Sequence, residues 1–353
     1  MDVVAIFDVG TSSKRLLLFD YSLNIVHHEE RLFSEMHDAK GVPCENISVI
    51  TEWMKSRLTD LIRRGDYDIK GLNFTGAGPC LIHLGEDGSC TGSEEEVSSF
   101  NKAHREYFDF SIEGHVIRTG YGVRNTSASM IPYLRSTDSP FILVSTGAWC
   151  TFMNPFNSEP LTADELANPN ISLVNIEGMK VKTSRTLLGE IHDLNVGRLD
   201  DRFGVTGELF RTIRIKSKKI RRMLEYKHGR IFFRHGIPEG YVDSDANLSH
   251  FLTYADAYHQ MMYDLVDLCM ESYRAVIPAV DASEIVYITG GFARNDTFVR
   301  TLASRMPDKR VFASSVENAT ALGAAMKIYE SAFGNPWPSV YLGLKAIIDN
   351  DQA

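Results

Sequence analysis

The sequence has no Cys-x-x-Cys pair, no G-x-x-x-x-G-K-[ST] loop, no G-x-G-x-x-G after a first strand, and no apolar run near membrane-spanning length. The missing loops exclude the two commonest classes of nucleotide site. The missing apolar run excludes a membrane-spanning helix. Cysteine is scarce: Cys44, Cys80, Cys90, Cys150 and Cys269 are odd in number, which reads as reduced thiols in a cytosolic protein. The histidines, including the adjacent His27 and His28, lack metal-ligand spacing. Met1-Asp2-Val3-Val4-Ala5-Ile6-Phe7-Asp8 places no basic residue ahead of its apolar run, and that run is too short for a signal peptide. A cytoplasmic location is expected.

Positive charge is in deficit. Lys and Arg number 37 against 46 Asp and Glu, a formal net charge of -9. A surface this acidic argues against non-specific binding to nucleic acid or anionic membranes, so neither is an expected partner. An anionic small ligand needs only local positive potential and stays open. With 353 residues, 44% hydrophobic and 24% charged, the profile is globular and long enough for two domains.

Val3 to Phe7 is a short β-branched run that reads as a buried strand. Asp8-Val9-Gly10-Thr11-Ser12-Ser13 is a turn, and Lys14 to Tyr21 a second strand. Further strands are expected at Ile25 to Arg31 and Gly71 to Thr75, with a helix over Val49 to Arg64. Thr91 to Ser99 reads as an exposed loop, and Thr126 to Leu134 as the helix closing a first domain. Phe141 to Val144, then Ser145-Thr146-Gly147-Ala148, then Trp149 to Met153, repeats the opening strand-turn-strand layout. One such hairpin at the start of each half suggests a duplicated domain, although short Gly/Ser/Thr turns also recur by coincidence. Helices are expected at Leu187 to Leu199, Val205 to Ile220, Tyr254 to Ile277, Asp296 to Met306 and Ala319 to Tyr329. Strands are expected at Glu284 to Thr289 and Arg310 to Ala313. The basic run Arg214 to Arg222 reads as a solvated helix face.

An acid at the end of a buried strand, followed by Gly-Thr-Ser-Ser, has a chemical use. Glycine lets backbone approach a phosphate, and the turn's N–H groups and hydroxyls can donate to it. Lys14 or Arg15 can add charge-assisted donors. Asp8 can hold magnesium through water. The same residues also suit a β-hairpin with a polar turn. Gly290-Gly291, between a strand and a helix, admits a flat ring or simply makes a tight connection.

The ordered set Phe7-Asp8-Val9-Gly10-Thr11-Ser12-Ser13-Lys14-Arg15, Ser145-Thr146-Gly147-Ala148-Trp149, Thr289-Gly290-Gly291-Phe292-Ala293-Arg294-Asn295 and Glu317-Asn318-Ala319-Thr320-Ala321-Leu322-Gly323-Ala324-Ala325 resembles the FGGY carbohydrate kinases. The stretches are similar to that family's first phosphate motif, second phosphate motif, adenosine motif and E-x-x-A-L-G-A-A helix, in the family's order. The resemblance covers Met1 to about Cys90 and Asn125 almost to the C-terminus. It implies an α/β fold of two ribonuclease-H-like (actin-like ATPase) domains, residues 1–133 and 134–353, with a nucleotide cleft between them and a hinge near Pro132 to Pro140. It implies ATP and Mg2+, with Asp8 positioning the metal. Gly10, Thr11, Ser12, Ser13 and Arg15 would face the transferred phosphate. Ser145, Thr146 and Gly147 would hold the β- and γ-phosphates. Gly290, Gly291, Phe292 and Asn295 would line the adenine and ribose pocket.

The implied reaction is phosphoryl transfer to a hydroxyl of a small-molecule sugar, and a homodimer is compatible with it. The sequence departs from the family pattern in three places. Asn125, in Arg124-Asn125-Thr126-Ser127-Ala128-Ser129, stands at the position of the catalytic base, and an amide cannot accept a proton at neutral pH. The first domain is short, with only Thr91 to Tyr121 where the family carries a long insertion. Gly76-Ala77-Gly78 replaces the family's sugar-contacting Gln, Trp or His. Asp109, Glu106, Glu86 and Asp87 are the candidate substitute bases. The alternatives are a slow kinase that relies on positioning alone and a catalytically impaired ATP-binding regulator or weak ATPase. Asn125-Thr126 falls where deoxyketose kinases carry Asp-Thr, which points to a ketose or deoxyketose.

Overall fold

The computed structural model describes residues 1–10, 13–34, 36–37, 43–76, 83–84, 90–91, 107–225 and 229–347. It divides into two compact units, residues 1–136 with 318–340 and residues 137–317 with 341–353. The sequence placed all of 134–353 in the second domain; the helix at 319–333 belongs to the first unit because of its small residues, as described below.

In the first unit, β1 (Asp2–Val9) lies between antiparallel β2 (Ser13–Phe19) and parallel β4 (Asp68–Gly76). Seven of its eight residues are buried, which explains its nearly continuous apolar run. β3 (Ile25–Leu32) pairs with β2 at the edge and is mostly exposed. Beyond β4, the sheet continues through β6 (His115–Gly120) to β5 (Tyr107–Ile112), and the short β7 (Val123–Arg124) also pairs with β4. Helix α1 (Ile47–Arg64) is capped by the Asn46 side chain on the Val49 N–H and ends at left-handed Gly65. It buries Ile50, Trp53, Leu58 and Leu61, and Trp53 meets the Phe7 ring edge-on.

Helices α2 (Asn125–Leu134) and α7 (Ala319–Phe333) complete this unit. The Ala-Leu-Gly-Ala-Ala run lets α7 approach closely. A Cβ on Gly323 would lie 1.8 Å from the Ala128 carbonyl oxygen, and one on Gly71 2.7 Å from the Ala332 Cβ. Buried Asn73 joins three segments: it donates to the Ala324 carbonyl at 2.9 Å and accepts from the Phe74 and Gly122 N–H groups.

In the second unit, β8 (Phe141–Thr146) lies between antiparallel β9 (Trp149–Asn154) and parallel β12 (Ile285–Gly290). The sheet runs β10 (Ile171–Ile176), β11 (Met179–Leu187), β9, β8, β12, β13 (Arg310–Ser314), β14 (Leu344–Ala346). Its middle five strands repeat the first unit's scheme: two antiparallel strands, the opening strand, then two parallel ones. This matches the duplicated hairpin read from the sequence. Helices α3 (Gly189–Phe203), α5 (Tyr254–Val276) and α6 (Asp296–Ser304) cover the sheet, and α4 (Ser217–Glu225) carries the basic run, largely exposed.

Val205 to Ile220 is not one helix. Gly207 sits at φ 86°, Leu209–Thr212 is a single 3-10 turn, and Phe210 and Ile213 pack on the core separately. The hairpins β5–β6 and β10–β11 were not anticipated. Among the described residues, no helix is long and apolar enough to cross a membrane.

Candidate functional site

In the first unit, the polar turn follows directly from β1. Asp8 is buried at its end, opposite Arg15 in the β1–β2 register. The Arg15 guanidinium pairs with Asp8 Oδ2 and also donates to Asn318 Oδ1. Thr320 Oγ1, in the first turn of α7, donates to the same Asp8 oxygen at 3.0 Å. Burial holds the Asp8 carboxyl above its ordinary value, outweighing the opposite pull of Arg15 and Thr320. Successive strand residues face opposite ways, so Lys14 leaves this group: its Nζ donates to the Gly10 carbonyl at 2.8 Å and pairs with Glu45. Of the two expected cationic donors, Arg15 therefore stands with Asp8. A Cβ on Gly10 would lie 2.9 Å from the Ser13 carbonyl oxygen, and the Ser13 hydroxyl donates to Glu30. Thr11 and Ser12 lie outside the described residues.

Thr75 joins Asp8 to Asn125. It is the register partner of Asp8 across β1 and β4, and its hydroxyl donates to Asn125 Oδ1 at 2.7 Å. The carboxyl end of β4 thus brings together Asp8 and Asn125, the residues expected from the sequence to position a metal and to stand at the base position. Thr75 belongs to none of the sequence motifs; its place at the end of a buried strand, one residue before Gly76, is its one signal in the sequence. Asp109 stands elsewhere. It pairs with Arg118 at 2.9 Å, and Arg118 is in register with Gly71, whereas Arg124 is in register with Gly76. Five strand residues separate those levels, about 17 Å. Glu86, Asp87 and Glu106, like Ala77 and Gly78, lie outside the described residues.

In the second unit, the Ser145 to Ala148 turn is gripped from two sides. Thr146 Oγ1 donates to the Thr289 carbonyl at 2.6 Å and accepts from the Phe292 N–H at 3.1 Å. Gly290 adopts φ 89°, and a Cβ there would lie 1.9 Å from the Thr146 carbonyl oxygen. On the other side, the Leu188 and Gly189 N–H groups donate to the Ala148 carbonyl at 2.9 and 3.0 Å. Gly189 is also sterically required, since its Cβ would lie 2.9 Å from the Gly147 carbonyl oxygen. Gly147 and Ala148 are themselves exposed, and half-buried Ser145 is in register with Thr289.

Gly291–Arg294 forms a 3-10 turn after β12, with Gly291 exposed and Phe292 half-buried. Asn295 caps α6 through the Phe298 N–H, and its Nδ2 donates to the Tyr258 hydroxyl at 2.7 Å. That hydroxyl meets Nε2 of buried His192 at 3.1 Å, and the His192 ring stands edge-on to Phe292, 5.0 Å between centroids. Burial raises the Tyr258 pKa, keeping its hydroxyl protonated. The sequence singled out neither His192 nor Gly189. His192 is legible only through spatial contact, being 66 residues from Tyr258. The Gly147 N–H is itself engaged within the hairpin, donating to the Trp149 carbonyl at 2.9 Å, and the fixed Phe292 face suits a flat ring.

No protein-family model matches the chain, and no curated protein matches it in sequence. Solved structures match over almost the whole chain. A carbohydrate kinase from Novosphingobium aromaticivorans aligns with a TM-score of 0.64 at 13% identity, covering 99% of this chain and 98% of its own. A ligand-bound xylulose kinase from Lactobacillus acidophilus aligns with a TM-score of 0.67 at 11% identity, covering 99% and 93%. The Plasmodium falciparum glycerol kinase, solved with ADP, aligns with a TM-score of 0.61 at 10% identity, covering 93% and 89%. The chain has the two-domain, actin-like fold of the FGGY-type carbohydrate kinases.

Proposed function

We propose that the chain is an ATP-dependent carbohydrate kinase, transferring the γ-phosphate to a hydroxyl of a ketose or deoxyketose. The observation that carries this reading is the buried Asp8, held beside Arg15 and Thr320 at the carboxyl end of β1, where the first unit's phosphate motif begins. The second unit's Thr146–Gly147 turn, fixed against the Gly290–Phe292 turn, supports it. In this reading Arg15 and the Gly10 turn face the transferred phosphate. Ser145, Thr146 and Gly147 position the β- and γ-phosphates through the shape of their turn, the Thr146 hydroxyl and the Gly147 N–H being engaged internally. Phe292 and Asn295 shape the adenosine end.

Magnesium, the ion ATP sites use, takes hard oxygen ligands and keeps several waters. The Asp8 carboxylate is a donor of that kind and would hold it, and the ion would neutralise phosphate charge. Transfer through a loose transition state asks the protein mainly for alignment and charge compensation.

The Thr75–Asn125 hydrogen bond favours a second reading, a catalytically impaired ATP-binding regulator or weak ATPase. The amide at the base position accepts a hydrogen bond and has no capacity to take a proton. The two readings separate by ADP release measured with ATP and magnesium over a panel of ketoses and deoxyketoses. Stimulation by one sugar supports the kinase; nucleotide binding without stimulation by any sugar supports the regulator.

A further inference from the structure

A cavity of about 500 Å³ opens in the second unit at the carboxyl ends of β12 and β13. Crevices at the carboxyl ends of parallel strands are where ligands bind in α/β sheets. Its lining carries four cationic side chains, Arg214, Arg294, Arg300 and Lys345, and one carboxylate, Asp296. In a chain of net charge -9, that is a local reversal of sign.

The floor is rigid. The Ser314 hydroxyl, buried, donates to the Leu342 carbonyl at 2.7 Å, and the Ser315 N–H donates to the Gly343 carbonyl at 3.1 Å. Gly343 has φ 54°, and a Cβ on it would lie 1.9 Å from Ser315 Oγ. These contacts clip the segment carrying Lys345 to the end of β13.

Two of the four cations are already matched. Arg300 pairs with Asp296 at 3.0 Å, and Arg294 with Glu317 at 2.9 Å. Asp296 also accepts from the Ile215 N–H, which fixes the segment that carries Arg214. The remaining two are not matched by acids among the described residues. Among the described residues, the Arg214 guanidinium donates only to the carbonyls of Arg211 and Ile213, and the Lys345 ammonium has no ion-pair or hydrogen-bond partner. Both are exposed, so their charges project from a fixed frame into the cavity mouth.

We propose that this cavity binds a small, multiply charged oxyanion of the phosphate-ester class. The volume is within the range of small-molecule pockets. Uncompensated Arg and Lys side chains, with the exposed Ser315 hydroxyl beside them, are the donors such an anion takes. The lining contains no residue of the Gly147 turn and none of Gly290, Gly291, Phe292 and Asn295, although Ala293 and Arg294 come from the same 3-10 turn as Phe292; the proposal stands whether or not the chain is a kinase.

The test is calorimetric titration of the full chain with inorganic pyrophosphate at low ionic strength. It compares the wild type, the Arg214→Ala/Lys345→Ala double variant and the charge-conserving Arg214→Lys/Lys345→Arg pair. Binding by the wild type, at least about tenfold weaker in the alanine pair and recovered in the conservative pair, is the expected result. Both residues are exposed, so unchanged thermal unfolding checks that the alanine pair is folded. Wild-type binding that the alanine pair leaves intact assigns pyrophosphate to another site and overturns the proposal. So does the absence of wild-type binding at millimolar pyrophosphate. ATP titration of the same variants is expected to be unchanged and separates this site from the nucleotide reading.

Discussion

The Thr146 hydroxyl links two strands by serving Thr289 and Phe292 at once, donating to one carbonyl and accepting from one N–H. Thr146→Val keeps the side-chain shape and removes both bonds, leaving buried backbone groups without a partner. A loss of about 1–3 kcal/mol in urea-measured stability is expected, with Thr146→Ser close to wild type. Equal stability for the valine and serine variants would show that the hydroxyl carries no weight.

Gly323 and Gly197 make a paired test of helical glycine. A Cβ on Gly323 would strike the Ala128 carbonyl oxygen at 1.8 Å, so Gly323→Ala forces α2 and α7 apart and is expected to cost about 1–3 kcal/mol. Gly197, inside α3, has nothing within 4 Å, so Gly197→Ala is expected to stabilise by about 0.4–1 kcal/mol. Thermal unfolding of both variants reads the difference in sign.

Asn125→Asp places a carboxylate where Thr75 already donates a hydrogen bond. If that position faces the acceptor hydroxyl, sugar-stimulated ADP release rises by at least about tenfold. An unchanged rate, with activity present, assigns the base to another residue.

Two groups on α5 titrate with opposite consequences. Burial pushes Asp264 up to about 6, against the pull of Gln260 and the Phe232 and Ile231 N–H groups. Between about pH 4 and 6 the folded state then holds the extra proton, so stability falls as pH rises. Burial, with Lys219 adding to it, pushes His259 down to about 4. Between about pH 4 and 6.5 the unfolded state holds the extra proton, so stability rises with pH. Each slope alone amounts to the order of 2–3 kcal/mol across its window, and together they largely cancel. Asp264→Asn is expected to expose the rising slope and His259→Gln the falling one, read from denaturant unfolding at several pH values. Flat profiles in both variants would refute the assignment.

The strands β1, β8 and β12 were legible because burial on both faces leaves a short apolar run ending in small residues. Helix α5 was legible from its long periodic stripe. The hairpins β5–β6 and β10–β11 were missed although each has a Glu-Gly pair, Glu113-Gly114 and Glu177-Gly178, with both residues at positive φ. That is the turn chemistry of a two-residue hairpin, and it stood in plain sequence. At the site, the acids and glycines could be read from their order. Thr75, Gly189 and His192 could not, because their importance comes from neighbours brought near by folding. Lys14 and Arg15 looked equivalent until strand alternation sent them to opposite sides.

Helix α7 is made more than 180 residues after α2, the helix it presses against. During synthesis, β1 and β4 therefore emerge long before the segment that covers them. For most of translation the first unit has an open apolar face while the second is being made. A nascent chain halted before residue 319 should be sticky, protease-sensitive and a client for chaperones.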